Sequence, residues 1–142
     1  MTIDTTIEEV LEDFEYLDDW EERYQEIIDL GKKLPPLDDA YKTDAYKVKG
    51  CVSQVWLVPH VAETLPPTIT FDADSDAHIV RGLVAILLMV YSGKTPRQIL
   101  DADIEGIFER LDLASHLSPS RSNGFRSMVK KIRSIASGAL AN

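Results

Sequence analysis

The chain has 142 residues, 44% hydrophobic and 27% charged, which suits a single domain over residues 1–142 with one core rather than a disordered chain. Acidic residues outnumber basic ones 24 to 15, a net charge of -9, which repels a phosphate backbone unless the cations cluster and so argues against nucleic acid. The longest apolar run, Leu83 to Tyr91, is shorter than the roughly 18–20 residues of a membrane span; Met1 to Glu15 has no leader character; and the one cysteine can form no intrachain disulfide, so a reducing, cytoplasmic setting is expected.

The first helix is predicted from about Thr6 to Leu17, with Ile7, Val10, Leu11, Phe14 and Leu17 on one face and Thr6/Glu9 as a capping box. A second starts after Asp19, buries Trp20, Tyr24, Ile27 and Ile28, and stops at Gly31. Pro35-Pro36 forbids helix between Lys32 and Thr43, so this stretch reads as an ordered connection packing Leu34 and Leu37. Strands follow at Gln54 to Val61 and Thr68 to Ala73, joined through Thr64-Leu65-Pro66-Pro67, with Ile69, Phe71 and Ala73 facing in. Tyr46 to Lys49 is a third candidate strand, leaving Gly50 and Cys51 at the bend.

Asp76 is expected to cap a helix reaching Ser92, apolar nearly all round and therefore central. Thr95-Pro96 opens a short helix with proline at its first position. Ile104 to Leu113 gives another, and Ser118-Pro119 opens the last. That helix buries Phe125, Met128, Val129, Ile132, Ile135 and Ala136, and its tail is expected to fray after Ser137. Strands in the middle and helices on either side imply an α+β fold, a small antiparallel sheet covered by helices.

Cys51 is the residue with chemistry to offer. A lone cysteine is in general a small buried hydrophobe. Here Gly50 precedes it and the polar Ser53 and Gln54 follow, so it sits at a bend where a thiol is more often exposed. Lys47 and Lys49, two and four residues back, would favour its thiolate if the chain ran extended. A dithiol exchanger needs a second cysteine, zinc wants clustered ligands, and an iron–sulfur cluster normally takes several thiolates. His60, His78 and His116 lie in no nucleophile motif and read as surface or turn residues, His116 fixing the turn before Ser118-Pro119. No cofactor or metal is expected. Lys130, Lys131 and Arg133 read as a solvated helix face. Ser75-Asp76 reads as a helix cap. Arg121 is a cation in the first turn of a helix, unfavourable against the dipole, and this suggests a carboxylate partner, with Asp76 a candidate.

Several segments together resemble the SufE family: Asp19-Trp20-Glu21-Glu22-Arg23-Tyr24, Ile28-Asp29-Leu30-Gly31-Lys32-Lys33-Leu34-Pro35, Val48-Lys49-Gly50-Cys51-Val52-Ser53-Gln54-Val55-Trp56, Ser75-Asp76-Ala77, Ile79-Val80-Arg81-Gly82-Leu83 and His116-Leu117-Ser118-Pro119-Ser120-Arg121-Ser122-Asn123-Gly124. They occur in family order from about Phe14 to Ile135. The resemblance implies a fold shared with iron–sulfur scaffold proteins of the U type. It implies a PLP-dependent cysteine desulfurase (SufS-like) as partner, whose activity the protein stimulates. Persulfide sulfur would pass onto Cys51 and then to a scaffold assembling iron–sulfur clusters. Gly50, Ser53 and Gln54 would shape the loop, with Asp76 and Arg121 in support. A persulfide needs shielding, so Cys51 should rest against an apolar wall of Trp56, Leu57 or the central helix. Asp112 departs from the family pattern, standing where a glycine is expected in G-L-x-x-H-L-S, a place asking for positive φ. Oligomeric state is left open, a homodimer being compatible with the family. Two rivals also stay open: direct cluster assembly, and an adaptor that stimulates a partner without covalent work.

Overall fold

A computed structural model describes residues 6–141 of the chain. Residues 1–5 of the acidic N-terminal stretch, and Asn142, lie outside the described residues. The order is α1 (Ile7–Glu15), α2 (Trp20–Gly31), β1 (Val55–Val61), β2 (Ile69–Ser75), α3 (His78–Tyr91), α4 (Pro96–Asp101), α5 (Ile104–Arg110), α6 (Leu113–His116) and α7 (Pro119–Ala141). This is the expected α+β arrangement.

Several helices begin where polar side chains satisfy free N–H groups. Thr6 caps α1 by accepting from Glu9 N–H, and Asp19 caps α2 by accepting from Glu21 N–H. Thr95 and Gln98 form a reciprocal capping box with Pro96 at the start of α4. Helix C-termini are tied to later elements by arginine. Arg23 donates to the carbonyls of Leu17 and Phe14 at 2.8 and 2.9 Å, and Arg133 to Leu100 at 2.9 Å. The segment carrying Pro35-Pro36 does bury Leu34 and Leu37. It also contains a short 3-10 turn, Asp39–Tyr41, nucleated by the Asp38 carboxylate accepting from Ala40 N–H, in a stretch where the prolines argue against helix.

β1 and β2 pair antiparallel, from Val55 opposite Ser75 to Val61 opposite Ile69. Ile69, Phe71 and Ala73 turn inward and are buried, as the alternation requires. The third strand expected at Tyr46 to Lys49 shrinks to one bridge, Lys47 opposite Trp56. Gly50 explains the truncation: its φ of +88° swings the chain away before a ladder can extend.

α3 is buried on almost every side, from Ile79 to Tyr91. It lies between α2, the sheet and α7, with the core built around it. Its N-cap is Ala77 without a side-chain cap bond, so the expected capping role of Asp76 does not hold; that carboxylate is engaged elsewhere. The helix expected over Ile104 to Leu113 breaks in two at Asp112, whose φ of 57° is left-handed. His116 Nε2 lies 3.1 Å from the Asp112 carboxylate, and its ring stacks on Trp20 at 4.2 Å. This histidine therefore does brace the turn. α7 continues past Ser137 to Ala141 rather than ending there, with Phe125, Met128, Ile132 and Ala136 buried and Val129 and Ile135 half-buried.

Candidate functional site: the Cys51 loop and its pocket

The loop from Lys49 to Ser53 is held at both ends. On its upstream side Val48 N–H donates to the Val55 carbonyl at 2.8 Å. Downstream, Gln54 N–H donates to Asp76 Oδ1 at 3.0 Å. The Gln54 carbonyl accepts from Ser75 Oγ at 2.7 Å and from Asp76 N–H at 3.2 Å. Ser75 and Asp76 thus clamp the downstream stem, which is what occupies Asp76 in place of helix capping. Gly50 rests on α7: a Cβ there would lie 2.6 Å from Ser127 Oγ. Between these ties, the few residues around the thiol have no backbone anchor of their own among the described residues.

Cys51 is half-buried. Its thiol lies 3.6 Å from the Gly124 carbonyl and donates to it, a weak S–H bond. Burial pushes the thiol up from its ordinary pKa, with no cation acting to lower it. The expected help from Lys47 and Lys49 is therefore absent. The turn at Gly50 breaks the extended alternation that would have put them on the thiol's side, and both line a different groove.

Cys51 and Ser53 line a pocket of about 330 Å³. Its apolar wall is Val80 and Leu83 of α3 with Phe125 and Met128 of α7. The wall expected from the central helix is thus present, while Trp56 and Leu57 do not contribute. Arg121 lines the same pocket, as do Ser118 and Ser120. Arg121 N–H donates to Ser118 Oγ at 3.3 Å, which starts α7 as the Ser118-Pro119 pair implies. Among the described residues no salt bridge joins the Arg121 guanidinium to a carboxylate. Asp76 is not its partner; the cation is left facing the thiol's pocket.

The structure therefore brings Cys51, Ser53 and Arg121 to one pocket, with Gly50, Gln54 and Asp76 around the loop that carries the thiol. Sequence reasoning missed the partnership of Cys51 with α7. Arg121, Gly124, Phe125 and Met128 fall at helical spacing on one face, so that face was legible, but nothing local told which loop it would meet. None of the three histidines lines the pocket. His60 is engaged with Asp72 at 2.8 Å.

Known proteins share this fold. A solved structure of a hypothetical protein from Thermus thermophilus superposes with a TM-score of 0.74 over 96% of each chain at 19% identity, which shows a common fold. Residues 8–136 match the family model described as SufE: Fe-S metabolism associated domain. A SufE-like protein of Rhizobium meliloti (strain 1021), named as uncharacterized, is 47% identical over 137 residues, 96% of this chain and 98% of its own length. One from Rhizobium etli, named likewise, is 51% identical over 129 residues, 90% of this chain and 87% of its own length. The chain belongs to the SufE family, associated with iron–sulfur metabolism.

Proposed function

We propose that the protein accepts sulfur from a PLP-dependent cysteine desulfurase, stimulates that enzyme, and passes the sulfur on to iron–sulfur cluster assembly in the reducing cytoplasm. The observation that carries this reading is the position of Cys51: a single thiol on a short loop pinned at both ends, resting over an apolar pocket that Arg121, in no salt bridge among the described residues, also lines.

The chemistry is a sulfur exchange without net oxidation. The Cys51 sulfur attacks the outer sulfur of a donor cysteine persulfide. A new S–S bond forms at Cys51 as the donor's S–S bond breaks. The donor's inner sulfur leaves as thiolate and takes up the proton that Cys51 gives up. The resting thiol is kept protonated by burial, hence weakly nucleophilic. Swinging the loop outward removes that burial and lets the proton leave. On return, the apolar wall excludes reductants, and Arg121 offers a positive charge to the persulfide anion. One cysteine suffices, and a second would close a disulfide on the intermediate.

Incubation with the desulfurase and free cysteine, followed by intact-protein and peptide mass spectrometry, tests this. The expected result is a gain of sulfur located on Cys51, absent in Cys51→Ser. Full stimulation of the desulfurase by Cys51→Ser would instead mark an adaptor without covalent work.

A further inference from the structure

Cations in this chain are outnumbered, 15 against 24 carboxylates, and several have found partners. Lys32 and Lys42 pair with aspartates, Arg81 with Asp74, and Arg110 and Arg126 with glutamates. Four lysines do otherwise. Lys47 and Lys49, upstream of the thiol loop, and Lys130 and Lys131 of α7 line one groove of about 660 Å³. All four are exposed, and among the described residues none forms a salt bridge. Asp44 is the one carboxylate that lines the groove with them. Like charges gathered this way repel, and the one carboxylate against four lysines leaves the groove positive. The sequence shows only half of the cluster, because Lys47/Lys49 and Lys130/Lys131 meet through the fold.

The groove adjoins the thiol. Gly50 and Ser127 line it, and Gly50 is the residue before Cys51. The thiol itself faces Gly124 on α7, one turn before Ser127. A molecule seated in the groove therefore lies along the stem of the loop. Two residues beyond Gly50, at the thiol's pocket, Val52 has an apolar side chain that is 84% exposed. An apolar anchor next to a charged rim is the make-up of a protein interface. A polyphosphate chain gains nothing from Val52 and is repelled by the rest of the surface.

We propose that this lysine groove docks an acidic segment of the protein that delivers sulfur to Cys51, an inference that rests on the sulfur-acceptor reading above. The contact steers the donor to the loop and seats it where the thiol can swing out.

The test uses the full chain and the cysteine desulfurases of the host organism. Two double reversals, Lys47→Glu/Lys49→Glu and Lys130→Glu/Lys131→Glu, are compared with Lys94→Glu/Arg97→Glu, which makes the same charge change at exposed positions outside the groove. Lys130→Gln/Lys131→Gln serves as a milder variant should a reversal disturb folding. Association measured by stopped flow at low and high salt should slow about tenfold or more in each groove reversal at low salt, with a weaker salt dependence. Alkylation of Cys51 by iodoacetamide alone should be unchanged, and the control should behave as wild type. Equal slowing in the control would assign the effect to net charge and overturn the proposal. So would groove variants that associate and gain sulfur as fast as wild type. Tighter binding of a single-stranded oligonucleotide than of any desulfurase, lost in the groove variants, would make this a nucleic-acid site instead. If the wild type gains no sulfur from any desulfurase, the sulfur-acceptor reading itself fails and the docking proposal with it.

Discussion

At the residue scale the resting thiol is held in check, not activated. Its S–H points at the Gly124 carbonyl, and burial raises its pKa. The Gly50-Cys51 bend was readable from sequence, since glycine marks a turn. The sign of the electrostatics was not, because it depends on the chain direction after a residue at φ +88°. A release step follows from this. Asp76 pins Gln54 at the downstream stem through a bond of 3.0 Å. In Asp76→Ala, Gln54 N–H loses that acceptor, the loop opens more often, and the thiol spends more time in water. Iodoacetamide should then modify Cys51 several-fold faster, and the pH midpoint of the alkylation rate should move down toward that of a free thiol, about 8.5. A rate and midpoint equal to wild type would show that the clamp does not restrain the thiol. Cys51 in the wild type should itself react with a midpoint above the free-thiol value.

At the scale of elements, the loop is only as well placed as the helices beneath it. α2 and α3 approach closely at two glycines. A Cβ on Gly31 would lie 2.7 Å from Gly82 N, and one on Gly82 would run into the carbonyl of Ile27. These obstacles are backbone, which cannot rotate aside. Gly82→Ala gains about 1 kcal/mol of helix propensity, but forcing two packed helices apart costs about 3 kcal/mol or more. The clash wins, and a net loss of about 2 kcal/mol is expected in the urea midpoint at unchanged slope. Gly138→Ala is the internal comparison. A Cβ there meets nothing within 4 Å, so the same exchange on α7 should stabilise by about 0.5–1 kcal/mol. The helices were legible because their caps and apolar spacing are local. The third strand is not formed because Tyr46 to Lys49, for all its strand composition, meets the turn at Gly50 after one bridge. The 3-10 turn at Asp39 to Tyr41 escapes a sequence reading because a single aspartate cap carries too short a signal.

At the scale of the whole molecule, the α+β architecture was legible because strands and helices are segregated along the chain, and the core follows from the all-round apolarity of α3. What sequence alone could not supply was the meeting of distant surfaces. Cys51 meets α7 across 73 positions, and Tyr91, at the end of α3, reaches a site between helices that no local pattern announces. Tyr91 is fully buried, and among the described residues its hydroxyl has no hydrogen-bond partner. Burial pushes its pKa up to about 12, with Arg133 pulling it down and Glu105 raising it further. The sign of the linkage is fixed by this direction. Between the ordinary tyrosine value of about 10 and the folded value, the unfolded chain releases the proton while the folded chain keeps it. The unfolded state then binds fewer protons, so stability falls as pH rises through that window. The phenol's share of the loss is on the order of 2 kcal/mol for a shift of this size. Tyr91→Phe removes a buried hydroxyl that makes no bond, so at neutral pH it should leave stability unchanged or raise it by up to about 1 kcal/mol. Urea titrations of wild type and Tyr91→Phe from pH 8 upward should agree in slope up to about pH 10. Above that the wild type should fall away more steeply. Parallel curves across the whole range would show that the hydroxyl finds a partner or solvent in the folded protein, and that the core around α3 is looser at this end than its packing implies.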